Sequence, residues 1–543
     1  MNLGIAIMLL GSVSFMMGTF YMVNHSDREM KIYTWKVICA TISIFVAVLM
    51  YQAFNDAIKA MFLQGSSETM EMKDGVISEF CLCDLGLGSR VWEYVPIPGS
   101  KIAEGPLGAH ILRLSALDCT CDGLPNTQVA FIHSMVWFLL LQVFLATVSR
   151  AVTWPWQGEV DESKEANEQR ELDLKSWAVI LGHITGFASI SAWAQLQSKL
   201  AGSVLILPMA FLGLWGLFTV TDKVRMWVSL SDDGEEDEME KAWDEATEET
   251  ENDVMALTCS FLVVQTIRFW ISGALPNEEG DLPNGTRVDY AQAFLQLFIG
   301  LAIGYLSYLH TLYTTEMWRG RVWVGLVCDF SSSWLIMFSV DAILTAMGLG
   351  GADFGVLGDV VTACIVTLLS FVVMYLLDKQ ADKEDEVLHQ TPTGGFRREG
   401  SEAMHKRKRT AMRSTVMAIG VLIGFAWEKC FDVAVDETAE KEGSILPPSF
   451  IKIILAAMLA TLVLPAWRWY ILPVVKQLGG FDEGEEEEGE DGEKGVYVPP
   501  VLPTEAYKDA EAFRTQVVQL EKEKETLIQE VKMLKLRVKE LER

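Results

Sequence analysis

The chain has 543 residues, of which 73 are acidic and 44 are Lys or Arg, so it carries a formal net charge of −29. Half of its residues are hydrophobic, and its mean hydropathy is +0.24. A nucleic-acid-binding protein needs a basic surface against phosphate, and the charge therefore excludes that class. A soluble protein this acidic would be polar throughout, so we expect the apolar and the acidic residues to occupy separate segments.

Eleven apolar runs are long enough to cross a bilayer as helices, which takes about 20 residues each. They cover residues 3–23, 35–58, 129–149, 176–196, 202–220, 254–273, 291–313, 322–347, 355–376, 415–435 and 449–473. Buried helices of a soluble protein explain one or two such runs, but not this number. The sequence therefore predicts an all-α polytopic membrane protein, with about eleven transmembrane helices within residues 1–476.

The basic residues suggest how these spans are oriented. Arg28 and Lys31 follow the first apolar run, and no basic residue precedes it. Because cytosolic loops are enriched in Lys and Arg, this pattern favours an uncleaved first span with its N-terminus outside. Because successive spans alternate in direction, the acidic loop 221–253, the basic loop 377–414 and the C-terminus are then predicted to be cytosolic. The membrane is predicted to be the plasma membrane or an endomembrane.

The first outer loop, residues 65–127, carries four cysteines in two Cys-x-Cys pairs: Cys81, Cys83, Cys119 and Cys121. Four cysteines allow three disulfide pairings, and we predict that disulfides form here. Zinc is one alternative, although this spacing is poor for a tetrahedral chelate, and free thiols are another. A later outer loop contains the sequon Asn284-Gly285-Thr286, which makes Asn284 a candidate glycosylation site. We predict neither a metal nor another cofactor.

Aromatic residues recur four positions apart on the even-numbered runs, as Trp334 and Phe338 do in the eighth and Trp427 and Phe431 in the tenth. Residues at this spacing share one face of a helix. The pattern is compatible with one leading span followed by five helical hairpins. The preference of Trp and Phe for membrane interfaces explains it as well.

Polar side chains interrupt the apolar runs, mainly near their predicted outer ends. Ionisable residues are costly inside a bilayer, so they motivate a functional hypothesis. The candidates for a transport path are Gln52, Asn55, Asp56, Arg268, Asp341, Glu428, Lys429 and Asp432. They could line a hydrated path for a cation or a proton. Alternatively, they are interface residues or ion pairs that fix helix packing.

Two cytosolic segments stand out by charge. The acidic run 232–253 is expected to be solvated and extended. The basic stretch 405–413 could bind anionic lipid headgroups or pair with the acidic runs.

The C-terminal segment 505–543 has a heptad repeat. Its seam is formed by Val517, Leu520, Lys524, Leu527, Val531, Leu534, Val538 and Leu541. Val at a and Leu at d favour a parallel two-stranded coiled coil, and Lys524 at an a position disfavours higher orders. We predict a homodimer in which the acidic and Pro-rich residues 477–504 link the membrane bundle to this coil.

No enzyme motif is present, and we predict that the protein is not an enzyme. Two functions remain as hypotheses. The first is a dimeric ion channel or transporter for a cation or proton. The second is a non-catalytic membrane scaffold or receptor-like protein that assembles partners through its coiled coil.

Overall fold

The computed structural model of the chain describes residues 2–63, 82–83, 119–120, 126–152, 163–200, 202–231, 234, 236–283, 286, 288–314, 319–348, 356–390, 397–442 and 447–478. Asn284, Cys81, Cys121 and the predicted coiled coil 505–543 lie outside these residues. Within them all regular secondary structure is helical, apart from one pair of two-residue strands. The all-α class is therefore confirmed.

Each of the eleven apolar runs is helical over most of its length, and the fifth run begins four residues before its helix. In chain order the helices are α1 (Asn2–Val23), α2 (Arg28–Leu63), α3 (Asn126–Ser149), α4 (Lys164–Lys199), α5 (Ile206–Ser229), α6 (Glu238–Ser272), α7 (Tyr290–Tyr313), α8 (Arg319–Ala346), α9 (Val356–Gln390), α10 (Arg397–Glu442) and α11 (Pro448–Ala466). A π-helical turn, Trp467–Ile471, joins α11 to the short α12, Leu472–Gln477. Pro465 precedes this turn, and proline removes a backbone donor from a helix.

Among the described helices, eight are long and apolar enough to cross a membrane. These long apolar helices indicate an integral membrane protein. They are α2, α3, α4, α6, α7, α8, α9 and the α11–α12 segment. Crossing by α1, α5 and α10, and hence the total of eleven spans, stays a prediction.

Several helices extend into segments that were predicted to be loops. The acidic run is not extended over its whole length, because α6 begins at Glu238. Asp237 and Glu240 form a capping box at this end, and Trp243 is buried against neighbouring helices. In the same way, most of the predicted basic loop 377–414 belongs to α9 and α10. These helices extend past their apolar runs because the added turns bury one amphipathic face against neighbouring helices.

The even-numbered helices form the centre of the molecule. α2, α4, α6, α8 and α10 pack against one another in closed cyclic order, each touching the next and α10 touching α2. Their carboxyl ends gather at one end of the bundle, where side chains of all five interact with the same loop. The described part of the chain therefore contains a ring of five parallel helices.

Small residues bring the ring helices close together. Gly182 and Gly186 on α4 face Thr250 and Leu257 of α6. Gly420 and Gly424 on α10 face Val37 and Ile44 of α2. Both pairs have the Gly-x-x-x-Gly spacing that lets membrane helices approach closely. A third such pair, Gly300 and Gly304, seats α7 against α8 outside the ring.

Because of this close approach, we expect Gly186→Val to destabilise the bundle. A Cβ atom at Gly186 would lie 2.5 Å from Leu257 Cδ1. Overpacking of this kind costs about 1–3 kcal/mol, which should lower the thermal unfolding midpoint of the detergent-solubilised protein. Gly216 on α5 is the matched control, since no atom lies within 4 Å of its added Cβ. Equal shifts for Gly186→Val and Gly216→Val would contradict the packing argument.

The odd-numbered helices, α11 included, surround the ring. Most of the exposed large apolar side chains lie on them. This distribution suits a surface that faces lipid. The most extensive contacts between consecutive helices join α3 to α4, α7 to α8 and α9 to α10. The predicted hairpins α2–α3, α4–α5 and α6–α7 touch over shorter stretches. The contacts between consecutive helices therefore favour a different grouping from the one that the aromatic pattern suggests.

The two short strands lie between α2 and α3. β1 (Leu82–Cys83) pairs antiparallel with β2 (Cys119–Thr120), and the register sets Cys83 opposite Cys119.

Candidate functional site

The carboxyl ends of the ring helices carry a dense group of charged residues, which we call the acidic mouth. Its acidic members are Asp56, Glu278, Glu279, Asp281, Asp341, Asp359, Glu428, Asp432 and Asp436, and its basic members are Arg268, Lys429 and Lys452. The nine carboxylates outnumber the three basic side chains. All the predicted path residues except Asn55 take part, since Gln52 donates a hydrogen bond to Asp432. Asn55 is half-buried on α2 and adds no described contact to this group.

Lys429 on α10 joins three carboxylates. Its Nζ lies 3.4 Å from Asp281, 3.8 Å from Asp341 and 3.9 Å from Asp359. The ring of Phe338 is 5.9 Å away and adds a weak cation–π contact. Because the carboxylates come from α8, α9 and a loop, this ammonium links three segments to α10.

Glu428, the residue before Lys429, is only 9% exposed. It lies near the carboxylates of Asp432 and Glu279 as well as near the Lys429 ammonium. Since burial of like charges is unfavourable, this group is poised to accept a positive charge.

A second basic residue forms ion pairs in the mouth where α2, α10 and α11 meet. Lys452 Nζ lies 2.6 Å from both Asp56 and Asp436. The sequence analysis missed Lys452 because it stands at the start of an apolar run, where a single lysine is unremarkable. Its two short ion pairs fix α11 to the ring.

Arg268 on α6 is buried and points into the mouth. Its guanidinium donates to the carbonyl of Gly280 and lies 3.9 Å from the centre of the Phe338 ring. Asp341 and Asp281 are close enough to interact with it electrostatically. Arg268 is therefore a structural counter-charge within the mouth.

The loop between α6 and α7 packs against the carboxyl ends of the ring helices. Glu278 accepts hydrogen bonds from Ser191 and Gln195 of α4, and Gln265 of α6 donates to the carbonyl of Asn277. Gly280, with φ of +92°, packs against the Phe338 ring of α8, where a side chain would clash.

The remaining two ring helices reach the same loop. Asp281 pairs with Lys429 of α10, and Tyr51 of α2 lies near Glu278 and Glu279. The carboxylates of this loop were missed by the sequence analysis, because an exposed acidic loop looks like ordinary solvated surface.

Beneath the mouth the ring is filled by aromatic side chains, which we call the aromatic layer. Its members are Phe187, Phe261, Phe330, Trp334, Phe338 and Phe425, from α4, α6, α8 and α10. Trp334 and Phe425 stack with centroids 3.8 Å apart. Trp334 and Phe338 also stack, which confirms that they share a helix face. Phe338 also contacts Arg268 and Lys429 of the mouth, so it lies at the boundary between the mouth and this layer.

At the opposite end of the bundle lies a second charged group, the basal network. It consists of Gln142, Thr221, Asp222, Arg225, Asp244, Glu248, Glu251, Asn252, Arg319 and Trp323. Glu251 is fully buried, and its two oxygens pair with Arg225 at 2.7 Å and Arg319 at 2.6 Å. This network joins α3, α5, α6 and α8, and its two guanidinium groups are shared among four carboxylates.

Among the described residues, no group of three or more His, Cys, Asp or Glu side chains is arranged to hold a metal ion. The carboxylates of the acidic mouth are spread along several helices instead of converging on one point.

Comparison with known proteins returns no matching protein-family model, no matching curated protein and no matching solved structure.

Proposed function

We propose that the protein carries a cation, protons included, across the membrane as an ion channel or transporter. The excess of carboxylates in the acidic mouth, at the carboxyl ends of a ring of parallel helices, is the observation that supports this most. Four of the five ring helices supply charged residues to the mouth, and the fifth, α4, holds Glu278 through Ser191 and Gln195. The aromatic layer lies directly beneath the mouth. The carboxyl ends of the ring helices also carry the negative pole of the helix dipoles, which favours cations.

Replacing Glu428 by Gln should reduce cation flux into liposomes. At an effective dielectric constant of about 20, losing one charge close to a passing cation removes on the order of 1–3 kcal/mol, which is about tenfold to hundredfold in entry rate. Glu428 is chosen because it is the most buried carboxylate of the mouth for which burial is described. Flux of alkali cations and of protons should be measured with ion-sensitive dyes.

The control is Asp173→Asn, which removes the same charge at the amino end of α4, where Asp173 pairs with Arg468. Its flux should match the unaltered protein. The scaffold hypothesis makes a different prediction, since a scaffold should show no flux above that of empty vesicles. A chain lacking residues 505–543 should still conduct, because the ring is built within one chain. Absence of flux from the unaltered protein, or an unchanged Glu428→Gln variant, would refute transport.

We further propose an orientation and an assembly. The acidic mouth would face outside, and the basic residues 405–413 at the amino end of α10 would face the cytosol and its anionic lipids, as the enrichment of basic residues on that side favours. The chain would form a parallel dimer through residues 505–543, whose heptad seam supports this.

The strand register supports one disulfide pairing. Residues directly opposite in an antiparallel pair have Cα atoms about 4.5–5.5 Å apart, which is within the range that a disulfide spans. Cys83 and Cys119 are such a pair. With that bond formed, Cys81 and Cys121 are left to pair with each other.

Non-reducing peptide mapping should therefore identify a Cys83–Cys119 linkage. Because the cysteines of each pair are only two residues apart, sequential digestion and fragmentation of the linked peptides is needed to assign the partners. A Cys83–Cys121 linkage, or four free thiols in protein from an oxidising compartment, would exclude this pairing.

A further inference from the structure

The deepest carboxylate that the α6–α7 loop brings into the mouth is Glu278. It is half-buried, and its Oε2 accepts hydrogen bonds from Ser191 Oγ at 2.6 Å and from Gln195 Nε2 at 2.7 Å. Both donors lie on α4, one helical turn apart. Their hydrogen bonds hold the carboxylate against the inner side of the ring.

Two glutamines that bond to this part of the loop each have a buried amide oxygen. Gln195 donates to Glu278 through Nε2, and Gln265 donates to the carbonyl of Asn277, the preceding residue, at 2.8 Å. The Oε1 atoms of Gln195 and Gln265 are both buried and have no hydrogen-bond partner within the described structure. Gln265 is 1% exposed, so its oxygen has no access to bulk water.

Such orphaned acceptors are uncommon. Buried polar atoms almost always have a partner, and leaving one unsatisfied costs about 1–3 kcal/mol. Both unsatisfied atoms here are oxygens, and each belongs to a glutamine that bonds either to Glu278 or to the residue before it. Oxygen ligands of this kind are those that bind alkali and alkaline-earth cations.

We propose that Glu278, Gln195 and Gln265 form a binding site for a monovalent metal cation. One carboxylate and two neutral amide oxygens balance a single positive charge, whereas a divalent ion favours several carboxylates. The inference rests on the proposed function, for which it names the class of cation.

The test measures cation binding without transport. The thermal unfolding midpoint of the full chain in detergent is compared in NaCl, KCl, RbCl and choline chloride at equal ionic strength, and in CaCl₂. A ligand that binds only the folded state raises this midpoint. We expect at least one alkali cation to raise it by about 2 °C over choline. Equal midpoints in all the monovalent salts would overturn the site, and a larger effect of Ca²⁺ would overturn its monovalent class.

Variants locate the site. Gln265→Met and Glu278→Gln keep the side-chain size, remove one ligand oxygen or one charge, and should lose the cation-dependent shift. Gln296→Met is the matched control, because Gln296 is equally buried but bonds to Leu335 between α7 and α8. If Gln265→Met retained the full shift, the site would be refuted. Should that variant fail to fold, Gln195→Met and the salt series on the unaltered protein carry the same test.

These experiments can refute the cation-binding site and the transport function independently of each other. A cation-dependent shift in a protein that shows no flux would leave the site standing and refute the proposed function. Flux without any cation-dependent shift would refute the site and leave the function standing.

Discussion

Replacing Glu251 by Gln is expected to destabilise the protein by about 3–5 kcal/mol, because it removes the shared partner of two arginines from a buried network. Arg225 is 2% exposed and pairs with Glu251 at 2.7 Å. Arg319 pairs with the other carboxylate oxygen at 2.6 Å. Without the carboxylate, both guanidinium groups would face one another with less compensation. The thermal unfolding midpoint and the yield of monodisperse protein in detergent measure this effect.

Glu248 provides the control on the same helix. It lies one turn earlier, is 41% exposed, and approaches Arg319 at 3.5 Å. Exposed ion pairs contribute about 0–1 kcal/mol, so Glu248→Gln should be nearly neutral. A double variant, Glu251→Gln with Arg225→Met, should recover part of the lost stability, since it also removes an uncompensated buried charge. Equal loss from Glu248→Gln and Glu251→Gln would show that burial does not govern this network.

The basal network illustrates what a count of charges overlooks. Glu251 belongs to the acidic run 232–253, which looks solvated when its charge is summed. Trp243, Ala246 and Thr250 recur within it at three- and four-residue steps, and Val254 continues the pattern just beyond it. All four are buried on one face of α6. The spacing of Asp237 and Glu240 is also that of a capping box. Periodicity and capping were thus visible in the sequence and predict the helix that charge alone hides.

The apolar runs, by contrast, predicted the helices well, because length and hydropathy are properties of a single segment. The charged residues that gather in the acidic mouth were singled out for a similar reason. A charge such as Glu428 inside an apolar run is costly wherever its neighbours lie, so its position alone marks it. Their gathering at one end of the bundle follows from the alternating direction of successive helices.

Partners could not be predicted in this way. The Gly182 and Gly186 pair indicates a close helix contact but does not say that α6 supplies Leu257. Glu278 looks like any exposed loop acid until Ser191 and Gln195, more than 80 residues away in the chain, are seen to hold it. The closed ring depends on such long-range choices, and no local pattern encodes it.

The aromatic layer leads to the second large expected effect. Phe425 is fully buried and stacks on Trp334 at 3.8 Å, with Phe187 and Phe330 each 6.4 Å away. An apolar constriction of this kind excludes water and therefore ions. If the transport path follows the ring, Phe425→Ala should open it and raise basal cation flux by about tenfold, which corresponds to about 1.4 kcal/mol of barrier.

Phe431→Ala separates this effect from general destabilisation. Phe431 is also on α10, but it packs against Phe45 of α2 at 4.5 Å, at the seam between the two helices. Removing either ring leaves a cavity and costs about 3–5 kcal/mol, so both variants should unfold at lower temperature. Only Phe425→Ala should raise flux, and Phe425→Leu should give an intermediate value. An equal rise of flux in Phe431→Ala, or a fall of flux in Phe425→Ala, would place the path outside the ring. The aromatic layer would then be a packed core instead of a barrier to ions.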